Sequence, residues 1–504
     1  MQNKDLSQTA FKAVRWTTLN TVCQVGIQFL TLIILGRLLS PEAFGLMAMI
    51  MVVVEVVNVF ARMGLGEAII YKKEITQSEI SSLYCLNVLV GLFLFGLVFV
   101  SSGFVGFLYS EPDVVPLVRI ISSLFFISSF GIIFEVLLRK HLLFDTFSKL
   151  NVASHFSGFV FMVLLALMGT GVYSLVFGQV FLHTVKSGLL VGVAARKKWL
   201  PRPRLRVSEI TFYLKFGLYR VLAMSANQFN SRVDQLLIGA MLGPASLGFY
   251  NIAFRVIYLP IQKVNPILTQ VAFPFFSKIQ DETQRLKRNY LKYINLVLSL
   301  NAPVLAGLAA LAHILIPLLL GEKWAPSIPI VQALAFYVFI RSIFNASGSL
   351  MMAKGKANWT FYWNMIMLLV IPTTTFLALK VSGSIIGVCV ALGSMFFVFF
   401  FFHYALFLRN LLGPFFKEYM LALCRPFLLA ASMGVFTYLL SLPLQAWPNS
   451  VSAVILITFG ISFYSVMILN FNQQFADELE KFLPGKIGRF LSIIRPKLTF
   501  SFIA

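Results

Sequence analysis

The sequence predicts an all-α, polytopic membrane protein of about 14 transmembrane helices, built as two pseudo-symmetric six-helix lobes with two helices appended. Three observations lead there. Of 504 residues, 59% are hydrophobic and only 12% are charged, roughly half the charged fraction of about 25% that soluble domains carry. Apolar windows near the ~20 residues needed to cross a bilayer recur along the chain. Runs such as Val88 to Val100 do not alternate in polarity as transmembrane strands of about 10 residues would.

The expected spans, in order, are 15–38, 43–66, 83–108, 114–138, 151–169, 172–195, 212–240, 246–272, 291–320, 327–352, 359–379, 384–408, 418–440 and 450–470. Short polar breaks separate them, and those breaks decide orientation. With the N-terminus in the cytoplasm, the segments assigned to that side hold 29 of the 41 Lys and Arg, against Arg37, Lys323 and Lys380 in the opposite loops. That is the positive-inside pattern. A net charge of +22 would otherwise suggest nucleic-acid binding, but no connection is long enough for a reader domain. The densest run, Arg196-Lys-Lys-Trp-Leu-Pro-Arg-Pro-Arg-Leu-Arg206, can also hold anionic lipid headgroups.

Met1 to Arg15 leads into a full-length span without the short apolar region and small-residue site of a cleavable signal. The cysteines Cys23, Cys85, Cys389 and Cys424 fall inside spans with no paired spacing, and read as small core residues. In the tail, Ile487, Phe490, Leu491 and Ile494 share a helical face beside Lys486, Arg489 and Arg495, the pattern of an interfacial helix.

An internal repeat organises the spans. A shift of 203 positions pairs Gly36 with Gly239, Leu39 with Leu242, Pro41 with Pro244 and Gly45 with Gly248. Both copies end an odd-numbered span, turn and open the next. A second echo, at a slightly larger offset, pairs the turns around Glu111 and Glu322. The expected organisation is an N-lobe 1–195, a basic cytoplasmic linker 196–211, a C-lobe 212–408, spans 13 and 14 within 409–470, and a cytoplasmic basic tail 471–504.

Polar residues form stripes inside the spans. Arg220, Asn227, Ser231 and Asp234 share a face of span 7, and Asn251, Arg255, Tyr258, Gln262 and Asn265 share one of span 8. Span 1 echoes the former with Thr17, Gln24, Gln28 and Thr31; span 2 carries Glu55, Asn58 and Arg62. Inserting a charge at a helix centre costs roughly 2.5–3.5 kcal/mol, so such residues need a cavity or a partner. The layout predicts a central water-filled cleft lined by these faces, as in an alternating-access transporter. Hydrogen-bonded glue between helices is the competing role, weakest as an account of Arg220, Arg255 and Arg341. For Lys186, Arg232 and Lys263, snorkelling or an ion pair such as Arg232 with Asp234 fits as well.

By this assignment nine Lys or Arg lie within spans against the acids Glu55, Glu135 and Asp234. That excess favours an anionic substrate, because guanidinium groups pair with phosphate oxygens. The expected substrate contacts are Arg220, Arg255 and Arg341, with Gln24, Gln28, Asn227, Asn251, Tyr258, Gln262 and Asn265 as polar lining. Glu55 and Asp234 are candidates for H+ or Na+ coupling, or neutralise an arginine. The scattered His141, His155, His183, His313 and His403 lack ligand spacing, there is no phosphate-binding Gly-x-x-x-x-Gly-Lys motif, and neither a cofactor nor a catalytic residue is expected.

Several local strings carry a resemblance. Leu39-Ser-Pro-Glu-Ala-Phe-Gly45, Asn265-Pro-Ile-Leu-Thr-Gln-Val-Ala-Phe-Pro274, Ser277-Lys-Ile-Gln-Asp-Glu282, Gly321-Glu-Lys-Trp324 and Gly348-Ser-Leu-Met-Met-Ala-Lys354, in this order, resemble the polysaccharide transporter family of the multidrug/oligosaccharidyl-lipid/polysaccharide flippase superfamily, in particular its Wzx-type exporters. The resemblance covers nearly the whole chain. It implies a V-shaped, MATE-like fold and a bacterial inner-membrane protein that flips undecaprenyl-pyrophosphate-linked oligosaccharide units. It also implies spans 13 and 14 beside a groove for the lipid tail, and as partners membrane lipids and a glycan polymerase with its chain-length machinery, but no nucleic acid. A cation-coupled multidrug exporter, a membrane glycan polymerase or ligase, and a scaffold for glycan assembly are the other readings.

Overall fold

The computed structural model describes residues 2–62, 65–202, 204–206, 208–211, 213, 221, 225, 227–472 and 475. Among them every regular element is helical. The chain opens with α1 (Gln2–Leu38), α2 (Pro41–Arg62) and the short α3 (Leu65–Tyr71), followed by α4 (Gln77–Tyr109), α5 (Val114–Lys140), α6 (Phe144–Leu167) and α7 (Val172–Arg196). Beyond the basic run come α8 (Val233–Lys278), α9 (Thr283–Leu320), α10 (Ser327–Ala353), α11 (Ala357–Ser382), α12 (Ile385–His403), α13 (Phe416–Ser441) and α14 (Asn449–Phe471). The interfacial helix expected around 487–494 lies outside the described residues.

Local chemistry sets the boundaries. Thr76 and Glu79 form a reciprocal capping box at the start of α4, and Ser110 ends it in the left-handed region with φ 54°; two orphan donors are thereby satisfied at the N-terminus. Ser384 caps α12 through the Gly387 N–H. The turns that close α4 and α9 contain Glu111 and Glu322, so the second echo marks equivalent ends. Thirteen described helices are long and apolar enough to cross a membrane, against about fourteen expected. The difference lies at spans 7 and 8. Most of 212–226 is outside the described residues, and the remainder of span 7 runs into span 8 as the 46-residue α8, interrupted where Gly243 takes φ 79° and ψ 178°. Pro244 restarts the helix at a position where its missing N–H costs nothing.

The chain divides into two compact units, Met1–Gly248 and Phe249–Ala504. In the first, α4 packs on α5, α5 on α7, α7 on α6 and α6 on α1. Small residues allow the close approaches: a carbon added to Gly91 of α4 would lie 2.6 Å from Ser129 of α5, and one on Gly178 of α7 would lie 1.9 Å from Met162 of α6. Such small-residue contacts drive association where no water is present to squeeze helices together. In the second unit α9 packs on α10, α10 on α12 and α12 on α11, the same order, so the repeat is present in the packing of each unit. The appended α13 and α14 both lie on α9. A buried polar network ties them there: Tyr464 donates to the Ser299 carbonyl (2.9 Å), Asn472 to Asn295 (3.0 Å), and Asn295 to the Ala422 carbonyl (3.2 Å).

The division falls at Gly248 rather than within the expected linker 196–211. One reason is that the basic run is packed on the first unit: Ile210 and Tyr213 are fully buried among Leu65, Ile69, Leu83, Phe134 and Leu190. The other is the repeat motif itself. A carbon added to Gly45 would lie 1.7 Å from the Pro244 carbonyl oxygen, and one added to Gly248 would lie 2.0 Å from that of Pro41. The two copies of the motif therefore touch each other reciprocally, glycine against proline carbonyl in both directions.

Gly45→Ala and Gly248→Ala are each expected to destabilise the protein by about 1–3 kcal/mol, the usual cost of overpacking, seen as a lower unfolding temperature in detergent. Gly26→Ala, with nothing within 4 Å of the added carbon, should leave that temperature unchanged. Equal melting of all three variants would rule the reciprocal contact out.

Candidate functional site

In the first unit Glu55 gathers polar partners from outside the expected stripes. This residue lies 14 positions into α2 from Pro41, about 21 Å along the helix axis. Its carboxylate accepts from Arg232 Nε (2.5 Å), Arg232 Nη2 (2.8 Å) and Gln228 Nε2 (3.0 Å), and Arg232 Nη1 reaches Gln235 Oε1 (3.1 Å). A two-pronged arginine–carboxylate pair with an added amide donor is a strong arrangement where water is scarce. The backbone helps to place it. Helical residues end at Asn230, Ser231 and Arg232 form a turn, and α8 starts at Val233, with the Arg232 carbonyl accepting from Leu236 N at 3.0 Å. Arg232 thus projects from a helix break, where irregular backbone is tolerated only if its polar groups are satisfied. The expected partner of Arg232 was Asp234. Instead Asp234 is buried and accepts from the Gln235 N–H (2.8 Å), in the first turn of α8, where the helix dipole favours a negative charge.

A second charged cluster lies on α5 and α7. Glu135 bonds Arg139 (2.5 Å) and Lys186 (2.8 Å), and Ser128 Oγ meets His183 Nδ1 at 2.9 Å. Lys186 is therefore held by an ion pair. Of the span 1 positions, Gln24 is half-buried and donates to Asn20 Oδ1 (3.3 Å), while Gln28 is exposed. Asn227 is also exposed, its carbonyl accepting from Ser231 Oγ (2.9 Å). Arg220 lies outside the described residues.

In the second unit the span 8 stripe divides by burial. Asn251 is buried, turned into the helix packing, whereas Arg255 and Gln262 are exposed and Tyr258 and Asn265 are half-buried. Arg341 of α10 comes to Tyr258: its guanidinium lies 5.8 Å from the Tyr258 ring and 5.9 Å from the Tyr337 ring, and donates to Tyr337 Oη at 3.0 Å. Two π-faces and a hydroxyl thus contribute to holding the cation. Arg255 stands one turn before Tyr258 on the same helix, and neither α8 beyond Phe249 nor α10 contains an Asp or Glu. Asn265 Oδ1 accepts from Asn301 Nδ2 (2.9 Å). Among the described residues no group of His, Cys, Asp and Glu could hold a metal ion.

Sequence reasoning missed Tyr337, Gln228, Gln235 and Asn301. Tyr337 sits four residues before Arg341, a same-face spacing that could have found it. Gln228 and Arg232 meet Glu55 across more than 170 positions, a pairing that no local spacing signals.

A helical membrane protein that repeats one packing order in two units, with polar side chains concentrated on the helices that open each copy of the repeat, has the architecture of a transporter. The chain belongs to the polysaccharide biosynthesis protein family, whose model matches residues 34–329. It is 31% identical over 441 residues to the teichuronic acid biosynthesis protein TuaB of Bacillus subtilis (strain 168), covering 87% of this chain and 90% of that one. It is 29% identical to the lipopolysaccharide biosynthesis protein WzxC of Escherichia coli (strain K12), covering 87% and 89%. Its fold is similar to that of the lipid II flippase MurJ in an inward closed conformation, with a TM-score of 0.68, 15% identity, and coverage of 89% of this chain and 97% of that one.

Removing either partner of the Glu55–Arg232 pair, by Glu55→Gln or Arg232→Gln, should cost about 1–3 kcal/mol; both side chains are about a quarter exposed, so the lower range for a stranded polar group applies. The double variant should recover part of that loss. A double-mutant cycle on detergent unfolding checks it, and purely additive losses would remove the coupling.

Proposed function

We propose that the protein is a flippase for lipid-linked oligosaccharide repeat units, carrying undecaprenyl-pyrophosphate-linked saccharide from the cytoplasmic to the outer leaflet of a bacterial inner membrane by alternating access. The observation that carries this reading is Arg341, held over the Tyr258 and Tyr337 rings, with Arg255 exposed one turn before Tyr258 on α8. A cation fixed in this way is suited to a polyanionic headgroup, since guanidinium forks match phosphate oxygens. Arg220 completes the proposed cationic set. Gln262, Asn265 and Tyr258 would meet sugar hydroxyls, together with Gln24, Gln28 and Asn227; Asn251, buried here, would join only if α8 turned. The polyprenyl tail would remain in lipid, beside α13 and α14. Membership of a polysaccharide biosynthesis family supports this reading.

The orientation proposed places both termini in the cytoplasm, on the side of the basic segments. Of the coupling candidates, Asp234 sits buried at the helix break, while Glu55 is engaged by Arg232. A glycan polymerase and its chain-length machinery would consume the flipped unit.

In cells lacking the protein, Arg255→Ala and Arg341→Ala should each reduce surface glycan export at least tenfold at unchanged membrane levels. Arg341→Lys should also be impaired, because an ammonium lacks the planar face that stacks on the tyrosines. Wild-type export by all three variants would end the assignment. Resistance to cationic drugs without a glycan defect on deletion would favour the multidrug exporter, and chain lengthening by purified protein a polymerase.

A further inference from the structure

The basic run that sequence reasoning treats as a linker is a folded strap. It leaves α7 at Arg196 and crosses the start of α4 and the end of α5. Its main chain is pinned along the way. Gln77 Nε2 donates to the Leu200 carbonyl (2.9 Å), the Arg202 N–H donates to Ser81 Oγ (3.1 Å), and the Arg206 N–H to Ser82 Oγ (3.1 Å). At the far end Ser78 and Ser82 both donate to Glu209 (2.8 and 3.3 Å). Trp199 stacks on His141 at 5.2 Å, and Ile210 and Tyr213 close the strap into the core. The anchors beneath are held as well: Lys72 pairs with Glu79, and its ammonium pKa is raised above the ordinary value chiefly by that hydrogen bond.

What remains outward is cationic. Arg196, Lys197, Lys198, Arg202, Arg204 and Arg206 are all exposed, and Arg206 lies 3.6 Å from Glu209. Between the cations Leu200 and Leu205 are 47% and 41% exposed. The strap joins the ends of three apolar helices, so these leucines and cations lie at the level where hydrocarbon gives way to headgroups. The cations are carried along a strap that runs from the end of α7, past His141 at the end of α5, to Ser81 and Ser82 on α4, a strip of charge suited to a surface of anionic headgroups.

The geometry points to the strap as a docking surface for the anionic phospholipids of the adjacent leaflet, phosphatidylglycerol being the probe of choice, with the two leucines inserted among the acyl chains. Pinning the backbone beforehand removes most of the ordering cost that a free basic segment would incur on binding. Each cation near an anionic surface contributes roughly fivefold to association. The strap shares no residue with the helix faces assigned to substrate.

The test uses the full chain in nanodiscs of phosphatidylcholine with a graded fraction of phosphatidylglycerol, and counts retained lipids by native mass spectrometry. The wild type should retain phosphatidylglycerol over phosphatidylcholine, with the preference falling as salt is raised. Replacing Arg196, Lys197, Lys198, Arg202 and Arg204 together by Gln keeps every main-chain anchor and should lower that retention at least tenfold. Arg202→Lys with Arg204→Lys, which keeps the charge, should retain the lipid. Equal retention of the two lipids by the wild type, or unchanged phosphatidylglycerol retention in the Gln variant, overturns the proposal. So does loss of undecaprenyl pyrophosphate binding in the Gln variant with phosphatidylglycerol retained, which would make the strap a substrate contact.

Discussion

The contact between the two copies of the repeat motif is the constraint on which the rest of this chain turns. Gly45 meets the Pro244 carbonyl and Gly248 meets that of Pro41, each at a distance that no side chain could share. Two glycines and two prolines are thereby required at once: the glycines to let backbones touch, the prolines to restart helices after breaks with no N–H to satisfy. From that contact α2 sets out, carrying Glu55.

Charge within apolar helices is costly, and the protein meets that cost in two distinct ways. In the first unit carboxylates do it: Glu55 holds Arg232, and Glu135 holds Lys186 and Arg139. In the second unit Arg341 is held by two tyrosine faces and a hydroxyl. An ion pair neutralises its arginine, whereas aromatic rings and a hydroxyl steady a cation through its planar face and its N–H groups. The two halves of a repeated fold keep one packing order.

Much of the fold was legible because its causes are local. Apolar length identifies a membrane helix regardless of its neighbours, and the Gly-Pro signature repeated at a fixed offset because the same turn was needed twice. The stripe Arg255, Tyr258 and Gln262 was legible for the same reason, since spacings of three and four place residues on one face. Partners across helices were not. Nothing near Arg232 in sequence names Glu55 in preference to Asp234, which is closer by 175 positions of chain and still not the residue whose carboxylate holds it. Burial was equally opaque: Asn251 and Arg255 share a stripe, yet one faces the packing and the other does not, because the width of a neighbouring helix is not written in the spacing.

The sequence by itself determined that the chain is a membrane-spanning helical protein, which side of its connections is basic, and that it is built on a repeat, since composition, length and period are properties of a chain before it folds. The tertiary structure alone decided where the units divide, which acid neutralises which base, and that residues 196–206 are a pinned strap rather than a linker. Those outcomes depend on hydrogen bonds and side-chain contacts between segments distant in sequence, such as Ser81 with Arg202 and Ser82 with Arg206, and such contacts exist only once the helices have packed.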